Sequence, residues 1–410
     1  MPGGDNGRVD AEAFEHLLSP EGQELLAALR DYDPAQELAT ATRLRRDHPA
    51  ELVSAALTQA RLRQRAAAKF GADAYRMYFT PDGMEQSTRA SVADYRARRF
   101  AALGPESVAD LCGGIGGDAI ALARRGLRVT AVDRSPLTCA AARANAAALG
   151  LSERLAVECA DVTAYDTGAY QAVFIDPARR AASGGAGRSP SGRATGGRIF
   201  DPEAYSPPLS FAVAAARKAS WAAIKIAPGI PHEAIPDDAE AEWISDGGDV
   251  KEAVLWFGTE PGARRATLLP AGATLTGRGL PDPRVRPVGR YLYEPDGAVI
   301  RAHLVAEVAE ELAGGLIDAT IAYVTADELT PTPYATAYEI TDVLPFNVKR
   351  LKALLREREV GVLTVKKRGS AVEPEELRRK LKLAGPHSCT VFLTRVAGAP
   401  SMLLGRPAGG

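Results

Sequence analysis

The chain has 410 residues, of which 46% are hydrophobic and 25% are charged, and its formal net charge is −1. This composition is typical of a soluble globular protein with two or three domains, and the total charge indicates no particular partner. The four cysteines form no C-x-x-C pair, which argues against a zinc ribbon and a disulfide scaffold and fits a reducing cytosol.

The N-terminus, MPGGDNGRVDAEAFEHLL, has no basic segment followed by an apolar core, so we expect no signal peptide. No apolar run approaches the roughly 18 residues that a membrane helix needs. We therefore expect a cytoplasmic protein with no membrane partner.

The charges are unevenly distributed along the chain. Residues 229–263 carry nine acidic residues and one lysine, whereas residues 345–395 carry thirteen Lys or Arg and five acidic residues. The net charges of these segments are −8 and +8, so the C-terminal part carries a positive field that the total conceals.

From about residue 10 to 100, apolar residues recur at steps of three and four with charges between them, which predicts helices. From residue 107 the pattern alternates between strands and helices, which indicates a parallel sheet covered on both faces. The Gly-Gly-Asp turn between AEWISD and KEAVLWFG predicts an antiparallel hairpin at the edge of that sheet.

A third region follows a connection rich in proline, glycine and arginine at 271–290. VIRAHLVAEVAEELAG, FNVKRLKALLRERE and PEELRRKLKL are predicted to be helices, and VGVLTVKK and SCTVFLTRV to be strands. The predicted organisation is a helical region at 1–100, an α/β domain at 101–275 and a small α+β domain at 276–410.

The segment DLCGGIGGD (110–118) lies between a predicted strand and a predicted helix. Glycines there let the backbone approach a ligand, and the helix begins with unpaired N–H groups. A dinucleotide fold requires G-x-G-x-x-G, and this spacing is absent. Instead, Asp110, Asp133 and Asp161 end three successive strands, where they suit the ammonium, ribose and adenine of S-adenosylmethionine.

This constellation resembles class I methyltransferases. The resemblance implies a Rossmann-like α/β fold with a seven-stranded, mostly parallel sheet, S-adenosylmethionine as the cofactor and no metal. It also implies a set of cofactor-binding residues, namely Asp110, Cys112, Gly113, Gly114, Gly116, Asp118, Asp133, Arg134 and Asp161. Cys112 stands where the family has its first glycine, and we interpret it as a small buried thiol, with a catalytic thiol as the alternative.

The fourth strand ends in a tetrapeptide, Asp176-Pro177-Ala178-Arg179, which we predict to be catalytic. It is similar to the [Asp/Asn/Ser]-Pro-Pro-[aromatic] motif of methyltransferases that modify exocyclic amino groups. A carboxylate and a backbone carbonyl there accept the two N–H bonds of the target amine and orient it. Arginine replaces the aromatic residue. It can stack on a base or pair with phosphate, but Arg179 and the next residue, Arg180, can equally be solvated turn residues.

The preceding segment 69–100 resembles the one that folds over cofactor and base in trimethylguanosine-synthase-like RNA methyltransferases. The resemblance implies substrate contacts for Tyr78, Phe79, Glu85 and Gln86, with packing of the aromatic rings between helices as the alternative.

Taken together, the motifs resemble those of bacterial methyltransferases that carry a C-terminal THUMP-like domain. Such domains are associated with RNA, which agrees with the +8 charge of 345–395. Lys366-Lys367-Arg368 ends a predicted strand and is followed by glycine, which suits a phosphate contact. The alternative for part of the basic run is a solvated helix face.

These observations predict an enzyme that methylates an exocyclic base nitrogen in tRNA or rRNA. The alternatives are a methyltransferase for a small molecule or protein, and a protein that binds S-adenosylmethionine or RNA without catalysis. The Gly/Ser/Arg tract at 181–198 is either a mobile lid over the site or a tolerated surface insertion.

Overall fold

The computed structural model describes residues 11–178 and 201–408. Internal contacts divide the chain into two compact units, one of Met1–Ala239 with Val254–Pro261 and one of Glu240–Ala253 with Gly262–Gly410. The three domains expected from the sequence stay a prediction. Within the described ranges, no helix combines the length and apolar character needed to cross a membrane.

The N-terminal region is helical, as predicted. Polar side chains begin several of the helices: Ser19 accepts a hydrogen bond from the N–H of Gly22, and Thr80 accepts one from the N–H of Gly83. The described helices of this region are α1 (Ala11–Leu17), α2 (Pro20–Ala28), α3 (Glu37–Leu44), α4 (Ala50–Phe70), α5 (Pro81–Gln86) and α6 (Ala90–Leu103).

The first unit continues as alternating strands and helices. These are β1 (Ser107–Leu111), α7 (Gly117–Arg124), β2 (Arg128–Asp133), α8 (Pro136–Ala148), β3 (Leu155–Cys159), β4 (Ala172–Ile175), α9 (Leu209–Ala216) and β5 (Trp221–Ile226). Strand β1 pairs in parallel with both β2 and β4, and β4 pairs in parallel with β5. The strand order therefore reverses between β1 and β4, and the crevice at the carboxyl ends of the strands is where open α/β sheets bind ligands.

Strands β6 (Glu240–Asp246) and β7 (Asp249–Phe257) form the predicted hairpin. Their two-residue turn consists of Gly247 and Gly248, whose φ angles of 63° and 83° are the left-handed values that a tight hairpin turn requires. The hairpin lies inside the sheet rather than at its edge, because β8 (Arg264–Leu269) pairs in parallel with β6 and β9 (Ala273–Thr276) pairs with β8.

The full strand order is β3-β2-β1-β4-β5-β7-β6-β8-β9. The Rossmann-like fold class is confirmed, but the sheet has nine strands rather than the predicted seven.

The second unit contains a seven-stranded sheet in the order β11-β12-β10-β13-β16-β15-β14. Its elements are β10 (Tyr291–Pro295), α10 (Gly297–Arg301), α11 (Val305–Glu311), β11 (Gly315–Asp318), β12 (Ile321–Ala326), β13 (Ala335–Pro345), α12 (Val348–Glu357), β14 (Val360–Lys367), α13 (Pro374–Leu381), β15 (His387–Val396) and β16 (Ala399–Pro407). The single helix predicted over 299–314 is two helices, because the chain turns at His303, whose φ is 59°.

Helices α12 and α13 share one apolar core with strands β14–β16. Leu351 and Leu355 of α12 and Leu377 and Leu381 of α13 are buried there. Each pair is spaced four residues apart, so each helix buries one face and exposes the other. This places the basic residues of both helices on the solvent side.

Candidate active site

The glycine-rich turn joins β1 to α7 through left-handed backbone conformations. The φ angle is 63° at Cys112, 56° at Gly114 and 87° at Gly116. A Cβ atom added to Gly113 would lie 3.2 Å from Oδ2 of Asp110 and 3.0 Å from Cβ of Ala131, so a larger residue would crowd this turn. The turn therefore closes tightly over the end of β1.

Asp110 is fully buried, and neither of its carboxylate oxygens has a hydrogen-bond partner among the described residues. Burial raises the pKa of this carboxyl well above its usual value, and the carboxylates of Asp118 and Asp176 raise it further. A buried acceptor without a partner is costly unless a ligand supplies the donor. The ammonium of an amino-acid moiety is a donor of the required charge.

Asp133 lies at the carboxyl end of β2, at the same edge of the sheet as Asp110. Its Oδ2 accepts a hydrogen bond from the N–H of Gly114 at 3.1 Å, and its Oδ1 accepts one from the N–H of Ser135 at 2.9 Å. The carboxylate thereby orders the glycine-rich turn. The neighbouring Arg134 is exposed.

Asp161, after β3, is exposed and caps a short 3-10 turn. Its Oδ1 accepts hydrogen bonds from the N–H and the hydroxyl of Thr163, at 2.9 and 2.8 Å. The pKa of Asp161 is lowered mainly by the hydrogen bond from the backbone N–H of Thr163. Only one of its carboxylate oxygens has these partners, which leaves the other open to solvent or a ligand.

Asp118, in the first turn of α7, lies in a buried polar cluster. It forms an ion pair with Arg96, and its Oδ2 accepts a hydrogen bond from the hydroxyl of Thr88 at 3.1 Å. The guanidinium of Arg96 also stacks on the ring of Phe174, 4.8 Å from its centroid. Asp118 therefore connects the start of α7 to the segment before α6.

The predicted catalytic turn lies at the carboxyl end of β4, beside β1. The side chain of Asp176 is 22% exposed. Ala178 exchanges two backbone hydrogen bonds with Ser206, of 2.9 and 3.1 Å, which fix the direction of the turn. The carbonyl of Pro177 has no hydrogen-bond partner within residues 11–178 and 201–408. Arg179 and Arg180, with the tract 181–198, lie outside the described residues.

Lys225, near the end of β5, is a site residue that the sequence analysis missed. Its Nζ lies 2.6 Å from Oδ2 of Asp176 and 2.9 Å from the hydroxyl of Thr88. The available signal is a single lysine within an otherwise apolar strand, WAAIKI.

The thiol of Cys112 lies near the carboxylates of Asp110, Asp133 and Asp176. Burial raises the pKa of Cys112 far above its usual value, and the carboxylates of Asp176 and Asp133 raise it further. The thiol is therefore protonated at neutral pH and is a poor nucleophile, which disfavours a catalytic thiol, and the residue itself is half-buried.

The chain is similar to known proteins in sequence and in fold. A methyltransferase domain model matches residues 108–178, a THUMP-like domain model matches 335–407, and a domain of unknown function matches 10–66. Two curated proteins, from the CDC 1551 and H37Rv strains of Mycobacterium tuberculosis, are described as uncharacterized S-adenosylmethionine-dependent methyltransferases. Each is 34% identical over 352 residues, which cover 83% of this chain and 92% of the relative.

The chain belongs to the S-adenosylmethionine-dependent methyltransferases. A crystal structure from Porphyromonas gingivalis W83, provisionally described as a methyltransferase, has the same fold, with a TM-score of 0.73 and 23% identity over 92% of this chain and all of that one. The predictions of an enzyme and of S-adenosylmethionine as the cofactor are confirmed.

In this methyltransferase, two side-chain amides hold the backbone of the segment before α5 in place. The side-chain amide of Asn145 exchanges hydrogen bonds with the N–H and C=O of Tyr78, at 2.6 and 3.1 Å, and donates to the carbonyl of Ile115 at 2.9 Å. Gln59 makes the same pair of bonds with Phe79, at 3.0 and 2.6 Å. The segment is thus fastened to the glycine-rich turn.

The rings of Tyr78 and Phe79 contact other aromatic rings of the N-terminal helical region. Tyr78 packs edge-on against Phe14, with ring centroids 5.8 Å apart, and Phe79 packs against Phe70 at 5.6 Å. Both residues are buried, so their contacts match the alternative of aromatic packing between helices. Substrate contact by these two residues stays a prediction.

The other two residues expected to contact the substrate, Glu85 and Gln86, are exposed at the end of α5. Lys69 holds this end, because its Nζ donates to the carbonyls of Met84, Glu85 and Ser87 at 2.9, 2.6 and 2.9 Å.

In the second unit, the basic residues at the end of β14 are paired with acidic residues. Lys366 and Arg368 both form ion pairs with Glu294, and Lys367 lies 2.5 Å from Glu373. The guanidinium of Arg368 also donates to the carbonyl of Ala322 at 2.9 Å. These contacts join β14 to β10 and β12 although other strands lie between them, so the sheet curls.

A metal site would require several His, Cys, Asp or Glu side chains close together. Within the described ranges, no group of three or more His, Cys, Asp or Glu residues is placed to hold a metal ion.

Proposed function

We propose that this methyltransferase transfers a methyl group to an exocyclic amino nitrogen of a base in RNA. The observation that carries this proposal is the place of Asp176, at the carboxyl end of β4 where the strand order reverses. Its Oδ2 is held by Lys225, whereas its Oδ1 has no hydrogen-bond partner among the described residues.

The cofactor fits the residues at the neighbouring strand ends. The unpartnered carboxylate of Asp110 suits the ammonium group, and the glycine-rich turn lets the backbone approach it closely. We assign cofactor binding to Asp110, Cys112, Gly113, Gly114, Gly116, Asp133, Arg134 and Asp161, with Asp118 supporting the start of α7. The bound cofactor supplies an electrophilic methyl group.

The protein's own contribution is to orient the amine. Oδ1 of Asp176 accepts one N–H of the target amine and the carbonyl of Pro177 accepts the other, which directs the nitrogen lone pair to the methyl carbon. During the transfer the methyl carbon exchanges its bond to sulfur for a bond to nitrogen and the amine loses one proton, for which we assign the Asp176 carboxylate as the acceptor.

An RNA substrate is supported by the THUMP-like match at 335–407 and by the +8 charge of 345–395. Of the basic residues in that segment, Lys349 and Arg356 lie on the exposed side of α12 and have no acidic partner among the described residues. The two positions are seven apart in the sequence, which is about two helical turns, so the residues lie on one face of the helix.

The test compares nucleosides from tRNA and rRNA of a strain lacking this gene with those of its parent by mass spectrometry. We expect one N-methylated nucleoside to be missing and to return with the wild-type gene, but not with Asp176→Ala. Asp237→Ala, an exposed acid outside the site, is the matched control. Identical nucleoside profiles in the two strains would contradict an RNA substrate.

A protein or small-molecule substrate is the second candidate. It is favoured by the ion pairs of Lys366 and Arg368 with Glu294, which engage two of the basic residues expected to contact phosphate. Because β14 and β15 belong to the sheet of the second unit, deleting 345–395 would disrupt that unit. The suitable test is the substitution Lys349→Glu with Arg356→Glu, which should leave methyl transfer unchanged if this candidate is right.

A further inference from the structure

Lys225 is a buried lysine at the edge of the sheet where the active site lies. Its side chain is 5% exposed, although lysine is almost never buried unless it is paired. Strands β4 and β5 run parallel with Ile175 opposite Ile224, so Asp176 and Lys225 are the next pair of residues at the carboxyl ends of the two strands. The sheet register itself therefore brings the two charges together.

The ammonium of Lys225 connects two parts of the site. It donates to Oδ2 of Asp176 at 2.6 Å and to the hydroxyl of Thr88 at 2.9 Å. That hydroxyl donates in turn to Oδ2 of Asp118 at 3.1 Å. A continuous chain of hydrogen bonds thus runs from the substrate side at β4 to the first turn of α7 on the cofactor side.

The charges in this chain balance. Lys225 faces Asp176, and Arg96 faces Asp118, so two cations neutralise two carboxylates. A buried ion pair costs desolvation free energy, and apolar residues of similar volume are often at least as stable. Stability alone is therefore a weak reason for a lysine at this position, whereas orienting a carboxylate beside a reacting amine is a strong one.

We propose that Lys225 is a positioning residue for methyl transfer and a determinant of substrate specificity. By holding Oδ2, it leaves Oδ1 as the one carboxylate oxygen available to the substrate and fixes its direction. By cancelling the charge of Asp176, it favours a neutral, planar amino group, as on a nucleobase, over a protonated amine such as the side chain of a lysine. This inference rests on the proposed role of Asp176.

The experiment uses the purified full-length protein with methyl-labelled S-adenosylmethionine and an extract of the deletion strain. Label is counted separately in the RNA, protein and small-molecule fractions. For Lys225→Met we expect kcat to fall by roughly 10²-fold, because the acceptor is misaligned, while the Kd of S-adenosylmethionine changes less than twofold.

Two further variants separate positioning from folding. Lys225→Arg keeps the positive charge and a hydrogen-bond donor, so it should retain more of kcat than Lys225→Met does. Adding Lys225→Met to Asp176→Asn should lower kcat little beyond Asp176→Asn alone, because the two residues act as a unit. If Lys225→Met does not fold, Lys225→Gln replaces it, since glutamine keeps a donor and removes the charge.

The outcomes are distinguishable. A wild-type kcat in the uncharged variants would overturn the positioning role, as would losses that simply add to those of Asp176→Asn. Label in the protein fraction on lysine side chains would overturn the proposed specificity for neutral amines. Label on a neutral amine outside RNA would contradict the RNA substrate and leave the role of Lys225 supported by its own variants.

Discussion

At the residue scale, Asp110 connects cofactor binding to pH. Burial raises the pKa of its carboxyl, so acidification protonates it, and a neutral carboxyl binds an ammonium less well. We expect the affinity for S-adenosylmethionine to increase as pH rises through this raised pKa. Asp110→Ala should weaken binding about 10- to 100-fold at neutral pH, the equivalent of a hydrogen bond to a charged group, and should remove the pH dependence. Calorimetric titration at several pH values measures both, and an unchanged Kd would contradict the assignment.

The same raised pKa affects the stability of the cofactor-free protein. A folded-state pKa above the unfolded value of about 3.9 means that the contribution of Asp110 is fully present below that pH and is lost as pH rises through the folded-state pKa. Wild type should therefore lose stability relative to Asp110→Asn as pH rises across that window. Urea unfolding of both proteins across the range tests this, and a stability difference that does not change with pH would contradict it.

Cys112 stands in a left-handed conformation that a side chain disfavours, and burial raises the pKa of its thiol. We expect Cys112→Gly to keep methyl transfer and to increase the free energy of unfolding by about 1 kcal/mol, since glycine adopts this conformation without strain. The readouts are urea unfolding and the rate of methyl transfer. Loss of transfer with intact cofactor binding would show that the thiol takes part in the chemistry.

At the scale of elements, Asn145 of α8 fastens the segment before α5 to the glycine-rich turn with three hydrogen bonds. Removing its amide leaves buried backbone groups of Tyr78 and Ile115 unpaired, so Asn145→Ala should lower the free energy of unfolding by roughly 3 kcal/mol or more. The exposed Gln86→Ala is the control and should change it little. A small effect in denaturant unfolding for Asn145→Ala would show that this segment is not held as described.

Helix α12 supplies a test of RNA contact. Lys349 and Arg356 are exposed and have no acidic partner among the described residues, unlike Lys366 at the end of β14. Replacing both with glutamine should reduce the dependence of log K on log salt by about 1.4 to 1.8, the contribution of two phosphate contacts. Binding of total tRNA at several salt concentrations measures this, with Arg290→Gln, which removes an exposed arginine paired with Glu339, as the control.

The periodicity of apolar residues predicted most helices and strands, because it reflects local burial. It did not predict that β9 extends the first sheet or that the β6–β7 hairpin lies inside it, since strand partners are chosen across long sequence distances. The same limit applies at the site. The position of Asp176 at a strand end was readable from the sequence, whereas its contact with Lys225 depends on the pairing of β4 with β5. The ion pair of Lys366 with Glu294 depends on the curl of the second sheet.

At the scale of the whole molecule, the chain resembles its mycobacterial relatives over 83% of its length, so the similarity extends well beyond the methyltransferase domain model at 108–178. The proposed cofactor contacts lie at the carboxyl edge of the first sheet. The proposed RNA contacts lie in the segment matched by the THUMP-like model. Substitutions in the full-length protein can therefore test the proposed cofactor contacts and the proposed RNA contacts separately.

The most direct test of the central claim is methyl transfer in vitro by the wild type and Asp176→Ala, with RNA from the deletion strain and labelled S-adenosylmethionine. Nucleoside mass spectrometry identifies the methylated atom. We expect label on one exocyclic amino nitrogen with the wild type and with Asp237→Ala, and none with Asp176→Ala, although that variant still binds the cofactor. Equal transfer by Asp176→Ala, or label on a ring carbon or a ribose oxygen, would contradict the proposed chemistry.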